Sequence, residues 1–422
     1  MLQEININNF LEKLYYERLD NGLRVFLVPL KYKKSFYATL FTKFGGKDLD
    51  FRVNGKDYHV PSGVAHFLEH KLFEGCRVSP FKFYSKSGTD VNADTNHERT
   101  RYYFWGSYNF NSNLRYLIKW LNTFNITDSK VEKEKGIILE EASMNRDRPN
   151  RVLYDRLLNN VLISDNYRSK VIGTDEDIKS ITKEDLNLCY DTFYNPSNMC
   201  LVAVGNFNKD KAIKIIKEEY SKCSYKKVNY ELILKDEPDK VFKKHETVYM
   251  DVDVPKVGVM FKMNRKLFDI GLDKYFLGYY LYMLFLIGCG DTSDFYENLF
   301  NGGYFASASF DLNEIESHYL PSFYATSKCP LELIKKLKSY LKDIELKEED
   351  FIRAKKTWIA SEVKMIESVS ATIENIVSDI VDYNEYKNNR INDIKSLSFD
   401  TLLKVKECLS FDNYSAVIIQ KD

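Results

Sequence analysis

Apolar and polar positions repeat along the chain with two different periods, and each period predicts a type of element. Residues 15–30, YYERLDNGLRVFLVPL, carry alternating apolar positions on both sides of Asn21-Gly22, a strong signal for a hairpin turn. Further along the first half, the pattern predicts strands or helices at 36–44, 99–106, 126–147 and 151–163. The first half of the chain therefore mixes strands with helices.

The second half shows the same mixture in a similar order. Residues 247–254 and 257–263, TVYMDVDV and VGVMFKM, are predicted strands. An apolar helix is predicted at 275–287, strands near 303–312 and 318–326, and a long helical stretch from 347 to about 385. This order suggests that the two halves are related.

A repeat supports that relation. Residues 178–204 and 394–419 both begin with Ile-Lys-Ser, continue with a capped short helix and end in an Asn followed by a β-rich run. The two segments lie roughly 215 residues apart, too far for a solenoid repeat, so a duplicated domain is the natural interpretation. We therefore expect an α+β fold of two duplicated domains, 1–218 and 246–422, joined by the charged linker 219–245, each a mainly antiparallel sheet packed with helices.

Composition narrows the class of protein. The 422 residues include 61 Lys plus Arg and 61 Asp plus Glu, a balance that argues against nucleic acid as the main partner. Seven scattered cysteines without a CxxC pair favour free thiols in a reducing compartment. The first residues show neither a signal sequence nor a transit peptide, so a cytoplasmic protein is expected. The apolar segment 275–290 is short for a membrane span, and a buried helix is the better interpretation.

The candidate chemistry lies in residues 66–70, HFLEH. His66 and His70 stand four apart, so on a helix they share one face and can reach the same metal ion. Ser62 is expected to cap this helix and Gly75 to end it. Glu69 supplies a carboxylate beside the ion, in the inverted order of the commoner HExxH pattern.

A catalytic zinc site needs a third protein ligand, and the other histidines show no pattern. Residues 132–148 offer carboxylates instead. Glu134 and Glu141 are seven apart, hence on one helical face, and Glu140 points about 100° away. Without HFLEH, such an acidic helix would ordinarily be a solvated face.

Several segments together resemble the insulinase/pitrilysin family of inverted-motif zinc peptidases. They are HFLEH, EKGIILEE at 134–141, GTDVNADTNHERTRYYF at 88–104, and the run from IGTDEDIKSITKEDL to FYNPSNMCLVAVGNF within 172–207. The resemblance spans most of the first half and implies duplicated α+β domains with one zinc site. It is nearest to the short bacterial members of about 420 residues, such as those encoded beside peptide-processing genes.

The resemblance also implies roles for individual residues. His66, His70 and Glu141 match the metal ligands, Glu69 the general base, and Glu134 a carboxylate behind the ligands. One Zn²⁺ per chain is expected, although manganese or cobalt could substitute in vitro.

Substrate contacts follow from the same family pattern. Asn92 and Ala93 match an Asn-Ala step on a strand edge that pairs with the peptide backbone. Active members also use an Arg and a Tyr from the second domain. The corresponding stretch, 291–310, has Tyr304 but contains no arginine, and Phe300 stands where the arginine belongs.

These features predict a cytoplasmic zinc metalloendopeptidase that cleaves short peptides or unfolded segments inside a closed chamber. The missing arginine favours the zinc subunit of a heterodimer, whose related partner chain lacks HxxEH and supplies the Arg/Tyr pair. Leader-peptide removal and general peptide turnover remain open as tasks. The alternative is a non-catalytic binding or scaffold subunit of such a complex. Neither nucleic acid nor membrane is expected as a partner.

Overall fold

The computed structural model of the protein describes residues 2–7, 13–74, 78–226 and 228–422. The predicted helix end at Gly75, and Cys76 among the predicted free thiols, lie outside the described residues. The other six cysteines are free thiols.

The described residues form strands and helices in the mixture that the sequence predicts. The strands are β1 (Gln3–Asn6), β2 (Lys13–Arg18), β3 (Arg24–Pro29), β4 (Phe36–Thr42), β5 (Asp50–Val53), β6 (Lys56–His59), β7 (Asp90–Thr95), β8 (Thr100–Gly106), β9 (Met199–Gly205), β10 (Tyr230–Leu232), β11 (His245–Tyr249), β12 (Lys256–Phe261), β13 (Met263–Asn264), β14 (Ser307–Glu314), β15 (His318–Thr326) and β16 (Tyr414–Gln420). The helices are α1 (Val64–Glu74), α2 (Pro80–Ser85), α3 (Phe110–Leu121), α4 (Asp128–Arg146), α5 (Pro149–Val161), α6 (Asp175–Ser180), α7 (Lys183–Phe193), α8 (Lys209–Tyr220), α9 (Lys274–Cys289), α10 (Asp294–Asn301), α11 (Pro330–Asp343), α12 (Glu348–Ile366), α13 (Val369–Tyr383), α14 (Arg390–Ser396) and α15 (Phe399–Glu407).

The chain folds into two compact units that exchange segments. The first contains Met1–Ala142, Ser169–Leu234 and Glu362–Arg390, and the second contains Ser143–Arg168, Lys235–Ser361 and Ile391–Asp422. Helix α5, from the first half of the chain, thus belongs to the second unit, and helix α13, from the second half, belongs to the first. The domain boundaries 1–218 and 246–422 stay a prediction.

The first unit is built on a seven-stranded sheet in the order β1-β2-β3-β9-β4-β8-β7. The predicted hairpin at Asn21-Gly22 joins the antiparallel strands β2 and β3, and Gly22 adopts the left-handed φ of +91° that such a turn requires. Strand β7 pairs with β8 and lies at the edge of the sheet. Strand β10, inside the predicted linker, pairs with β5 in a small second sheet.

Both faces of this sheet are covered, which explains why its central strands are apolar at nearly every position. Every residue of β4 and of β9 is buried. One face packs against α1, α3, α7 and α8, and the other packs against Ile373, Ile376, Val377 and Ile380 of α13.

The second unit has a sheet in the order β11-β16-β12-β15-β13, with β14 also paired to β15. Strand β16 inserts between β11, to which it is parallel, and β12, to which it is antiparallel. In the first unit β9 inserts in the same way between β3 and β4. The repeated segments therefore end in equivalent strands, and the α+β fold of two duplicated domains is confirmed.

The predicted long helical stretch is divided in the structure, whereas the predicted buried helix is present. The helical stretch from 347 to 385 is two helices, α12 and α13, because the helix is interrupted at Glu367 and Ser368. The hydroxyl of Ser368 caps the N-terminus of α13. The apolar segment 275–290 is the buried helix α9. Among the described residues, no helix combines the length and the apolar character needed to cross a bilayer.

Candidate metal centre

Helix α1 presents the HFLEH residues from a firmly packed base. Val64, Ala65, Phe67, Leu68 and Leu72 are all buried in the core of the first unit. This packing fixes the rotation of the helix about its axis. His66 and His70 therefore face a different neighbour, helix α4. The helix begins at Val64, and the hydroxyl of Ser62, the predicted cap, instead donates to Asp177 Oδ2 at 2.5 Å.

Helix α4 brings the acidic residues to the two histidines. Glu141 Oε2 lies 3.4 Å from His70 Nε2 and 3.6 Å from His66 Nε2. One ligand atom from each of the three residues lies within 4.8 Å of the other two. The neighbouring Glu140 is exposed and stands outside this cluster.

The donor set and its spacing fit a zinc ion. Two ligands that each bind a tetrahedral zinc at 2.0–2.1 Å lie about 3.3 Å apart, close to the two nitrogen–oxygen distances seen here. Two imidazole nitrogens and one carboxylate oxygen form a common catalytic zinc set that keeps a coordination position open. The residues present therefore suit the metal that the sequence predicts.

Glu134 lies directly behind the cluster. Its Oε1 is 3.0 Å from His70 Nδ1, and its Oε2 is 2.6 Å from the ammonium of Lys71. Burial alone would raise the pKa of Glu134, but the contacts with His70 and Lys71 outweigh it and hold the pKa at about 2. The ionised carboxylate fixes the ring of His70 so that Nε2 faces Glu141.

The contact with Glu134 also changes the pKa of His70. Burial would lower its pKa, but the hydrogen bonds to Glu134 and Glu141 raise it to about 9. Without a metal ion, His70 therefore holds a proton at neutral pH, and a metal ion must displace that proton to bind.

Glu69 is buried beside the cluster and takes its hydrogen bond from a strand. The hydroxyl of Thr95, at the end of β7, donates to Glu69 Oε2 at 2.5 Å. Burial raises the pKa of Glu69 to about 7, although the Thr95 hydrogen bond opposes the shift. A carboxylate with a pKa near neutrality can both accept and return a proton.

The same strand carries the two predicted substrate residues. Asn92 is exposed and Ala93 is buried, and the Ala93 amide donates to the side chain of Asn92 at 2.9 Å. Among the described strands, β7 pairs with β8 and ends the order of the sheet, so its outer side is a sheet edge. The strand that holds Glu69 through Thr95 is thus also the edge strand.

Tyr304 and Phe300 belong to the second unit. Phe300 is half exposed on α10, and the Tyr304 hydroxyl donates to Glu332 Oε1 at 3.3 Å. The ammonium of Lys336 lies 4.6 Å from the centre of the Tyr304 ring. These contacts stay within the unit, and the substrate role of Tyr304 remains a prediction.

Sequence reasoning missed Thr95 and Lys71. Thr95 stands three residues after Asn92, in a segment where only the Asn-Ala step carries a predicted role. Lys71 follows His70 directly, but a lysine on a charged helix looks solvated, whereas this side chain is buried. A buried lysine requires an acidic partner, and this requirement is the signal that links Lys71 to a nearby carboxylate.

Comparisons with known proteins identify the family of the chain. A sequence profile described as insulinase (peptidase family M16) matches residues 56–175, which include α1 and α4. A second, described as the peptidase M16 inactive domain, matches residues 180–357. The cluster of His66, His70 and Glu141 lies entirely within the first match.

Relatives and solved structures extend the similarity to nearly the whole chain. The uncharacterized zinc protease YmfH of Bacillus subtilis is 38% identical over 319 residues, 74% of this chain and 73% of that protein. An uncharacterized zinc protease of Rickettsia felis is 25% identical over 89% of each chain. The crystal structure of an M16-like peptidase from Alicyclobacillus acidocaldarius is 28% identical, with a TM-score of 0.93 over 98% of this chain and 99% of that one. On these grounds the chain belongs to the insulinase family of peptidases, peptidase family M16.

Proposed function

We propose that this protein is a zinc-dependent endopeptidase that cleaves short peptides or unfolded segments. The observation that carries the proposal is the convergence of His66, His70 and Glu141 on one point, with the buried Glu69 beside them. The names of the related zinc proteases support the peptidase class.

Each residue of the site has a distinct task in this proposal. His66, His70 and Glu141 hold one zinc ion per chain, which supplies Lewis acidity toward a peptide carbonyl and toward water when bound. Glu69 takes a proton from water and returns it to the leaving amine. Glu134 orients His70 and keeps its ring in one tautomer.

The free edge of β7 accounts for binding without strong sequence preference. A peptide that adds to this edge as a further strand, along Asn92 and Ala93, is held mainly by backbone hydrogen bonds. Because Thr95 on the same strand also bonds Glu69, the peptide is held in register with the proton acceptor. The site lies in a closed chamber that admits short peptides, and leader-peptide removal is one task that such a chamber suits.

The proposal extends to a related partner chain. No arginine occurs between 291 and 310, so the group that would stabilise an oxyanion beside Tyr304 is missing from that stretch. A partner lacking HxxEH would supply an Arg/Tyr pair. A relative in Arabidopsis thaliana is named as a probable mitochondrial-processing peptidase subunit beta. The free thiols of the described cysteines are consistent with the cytoplasm, where we place the enzyme.

Metal content tests the site. We expect about one zinc per wild-type chain after dialysis and a sharply reduced content in Glu141→Gln. Glu140→Gln is the matched control, since Glu140 is the exposed neighbour on the same helix, and it should retain its zinc. Zinc-free wild-type protein would contradict the proposal, and an unchanged zinc content in Glu141→Gln would move the third ligand to Glu140 or elsewhere.

Peptide cleavage tests the chemistry. Glu69→Gln should retain zinc but lose about 100-fold or more in kcat on an unstructured peptide. Robust cleavage by this chain alone, undiminished in Tyr304→Phe, would contradict the need for a partner while leaving the zinc site intact.

A further inference from the structure

A cleft in the first unit lies away from His66, His70 and Glu141 and is lined by cations. It has a volume of about 850 Å³ and contains Arg18, Arg24 and Lys43. Among the described residues that line it, Glu385 is the one acidic residue, and its carboxylate is paired with Lys387. In the described part of the chain, no carboxylate lies within ion-pair distance of any of the three cations.

Two of these cations converge on a single neutral oxygen. Arg24 donates to Asn384 Oδ1 at 3.1 Å, and the Lys43 ammonium lies 3.4 Å from the same atom. Arg24 also donates to the backbone carbonyl of Asn384 at 2.9 Å. Asn384 follows α13 in a left-handed conformation, with φ of +59°, which aims its side chain toward the two cations. An uncharged amide oxygen thus occupies a place where an anion would bind more strongly.

Helix capping explains only part of this arrangement. The C-terminus of α13 carries roughly half a negative charge, which favours one nearby cation. This partial charge does not neutralise the three positive charges of Arg18, Arg24 and Lys43. Burial and then the neighbouring Arg24 guanidinium lower the pKa of Lys43, so both disfavour the charged form of this side chain.

The remaining lining residues indicate which other groups a ligand of this cleft would carry. Tyr16, Phe26 and Tyr386 form an aromatic wall, whereas Asn198 and Tyr230 contribute polar atoms that already bond each other at 2.8 Å. The volume exceeds that of a bare inorganic anion and is typical of a small-molecule site.

We propose that this cleft binds a small organic anion, a carboxylate or phosphate monoester on an aromatic or apolar body. The oxyanion lies between Arg24 and Lys43, with Arg18 nearby, and displaces the Asn384 amide oxygen. The fork of Arg24 suits either oxyanion, since both accept two parallel N–H donors. The body of the ligand packs against Tyr16 and Phe26. This site does not depend on zinc or on peptide cleavage.

Calorimetric titration of the full chain tests the proposal. The probes are phenyl phosphate and N-acetylphenylalanine, which share the oxyanion and the ring, with neutral N-acetylphenylalaninamide and inorganic phosphate as comparisons. We expect at least one ring-bearing anion to bind about tenfold more tightly than the neutral amide and than inorganic phosphate. The probe that binds more tightly identifies phosphate or carboxylate as the source of the oxyanion.

Variants locate the binding. Lys43→Gln leaves the Arg24–Asn384 hydrogen bonds in place. The two single variants Lys43→Gln and Arg24→Gln should each weaken binding at least about tenfold. Lys33→Gln is the charge-matched control, because its ammonium also bonds a neutral oxygen, the backbone carbonyl of Glu367, and lies outside the cleft. Circular dichroism checks that each variant is folded. Equal binding by wild type and Lys43→Gln, equal binding of the neutral amide, or no binding at millimolar concentration would overturn the proposal.

Discussion

The hydroxyl of Thr95 donates a hydrogen bond of 2.5 Å to Glu69, and this contact joins the edge strand β7 to the helix that carries both histidines. A side chain on the proposed peptide-binding strand therefore sets the position of the proposed proton acceptor. Since Glu69 is buried, a carboxylate that lost this partner would leave one oxygen poorly satisfied and its rotamer less defined.

Thr95→Val should consequently lower kcat by roughly tenfold, with a smaller change in KM, because the shape of the strand is kept while one hydrogen bond is lost. Thr95→Ser keeps the hydroxyl and should restore most of kcat. Steady-state kinetics on an unstructured peptide, with zinc content measured in parallel, checks this expectation. If both variants lost activity equally, the threonine would matter for strand packing rather than for Glu69.

Glu134 is expected to control metal affinity. Replacing it by Gln removes the charge that faces both His70 and the buried Lys71, so the zinc association constant should fall about 10- to 100-fold. A chelator competition assay measures this change. Glu132→Gln removes an exposed charge two residues away on the same helix and should have no effect. Unchanged affinity in Glu134→Gln would restrict the role of this residue to packing.

Zinc binding should depend on pH through His70. Its pKa of about 9 in the metal-free protein lies above the usual value near 6.5, so a proton competes with the metal below pH 9. The apparent association constant should therefore rise about tenfold per pH unit between roughly 7 and 9, then level off. Proton release measured in buffers of different ionisation enthalpy checks the stoichiometry. In Glu134→Gln the plateau should begin at lower pH, because one cause of the raised pKa is gone.

The sequence predicts the centre of this site and leaves its surroundings undetermined. His66 and His70, or Glu134 and Glu141, are related by helical spacing, which can be read without a structure. Thr95 and Glu69 are 26 residues apart on a strand and a helix, and only tertiary packing brings them together. For the same reason the duplicated α+β fold is predictable but the exchange of α5 and α13 is not. The apolar face of a helix shows that it is covered and does not show which sheet covers it.

A last prediction concerns the stability of the first unit. Asp48 is only 4% exposed, and its Oδ2 accepts the amide of Gly45 at 2.8 Å. Burial raises its pKa to about 7, above the value of 3.8 expected in an unfolded chain. Its favourable contribution is therefore complete below about pH 4 and is lost as pH rises through about 7, because the folded state must then bury a charge.

Asp48→Asn keeps an oxygen for the Gly45 amide but cannot ionise. The variant should melt close to wild type at pH 4 and about 3–6 °C higher at pH 8. Asp57→Asn provides the contrast, since its ion pair with Arg52 lowers the pKa of this exposed carboxyl and its removal should not stabilise at high pH. Thermal unfolding of the three proteins at matched pH measures the differences. A gap between Asp48→Asn and wild type that did not widen with pH would show that Asp48 ionises at no cost in the folded state.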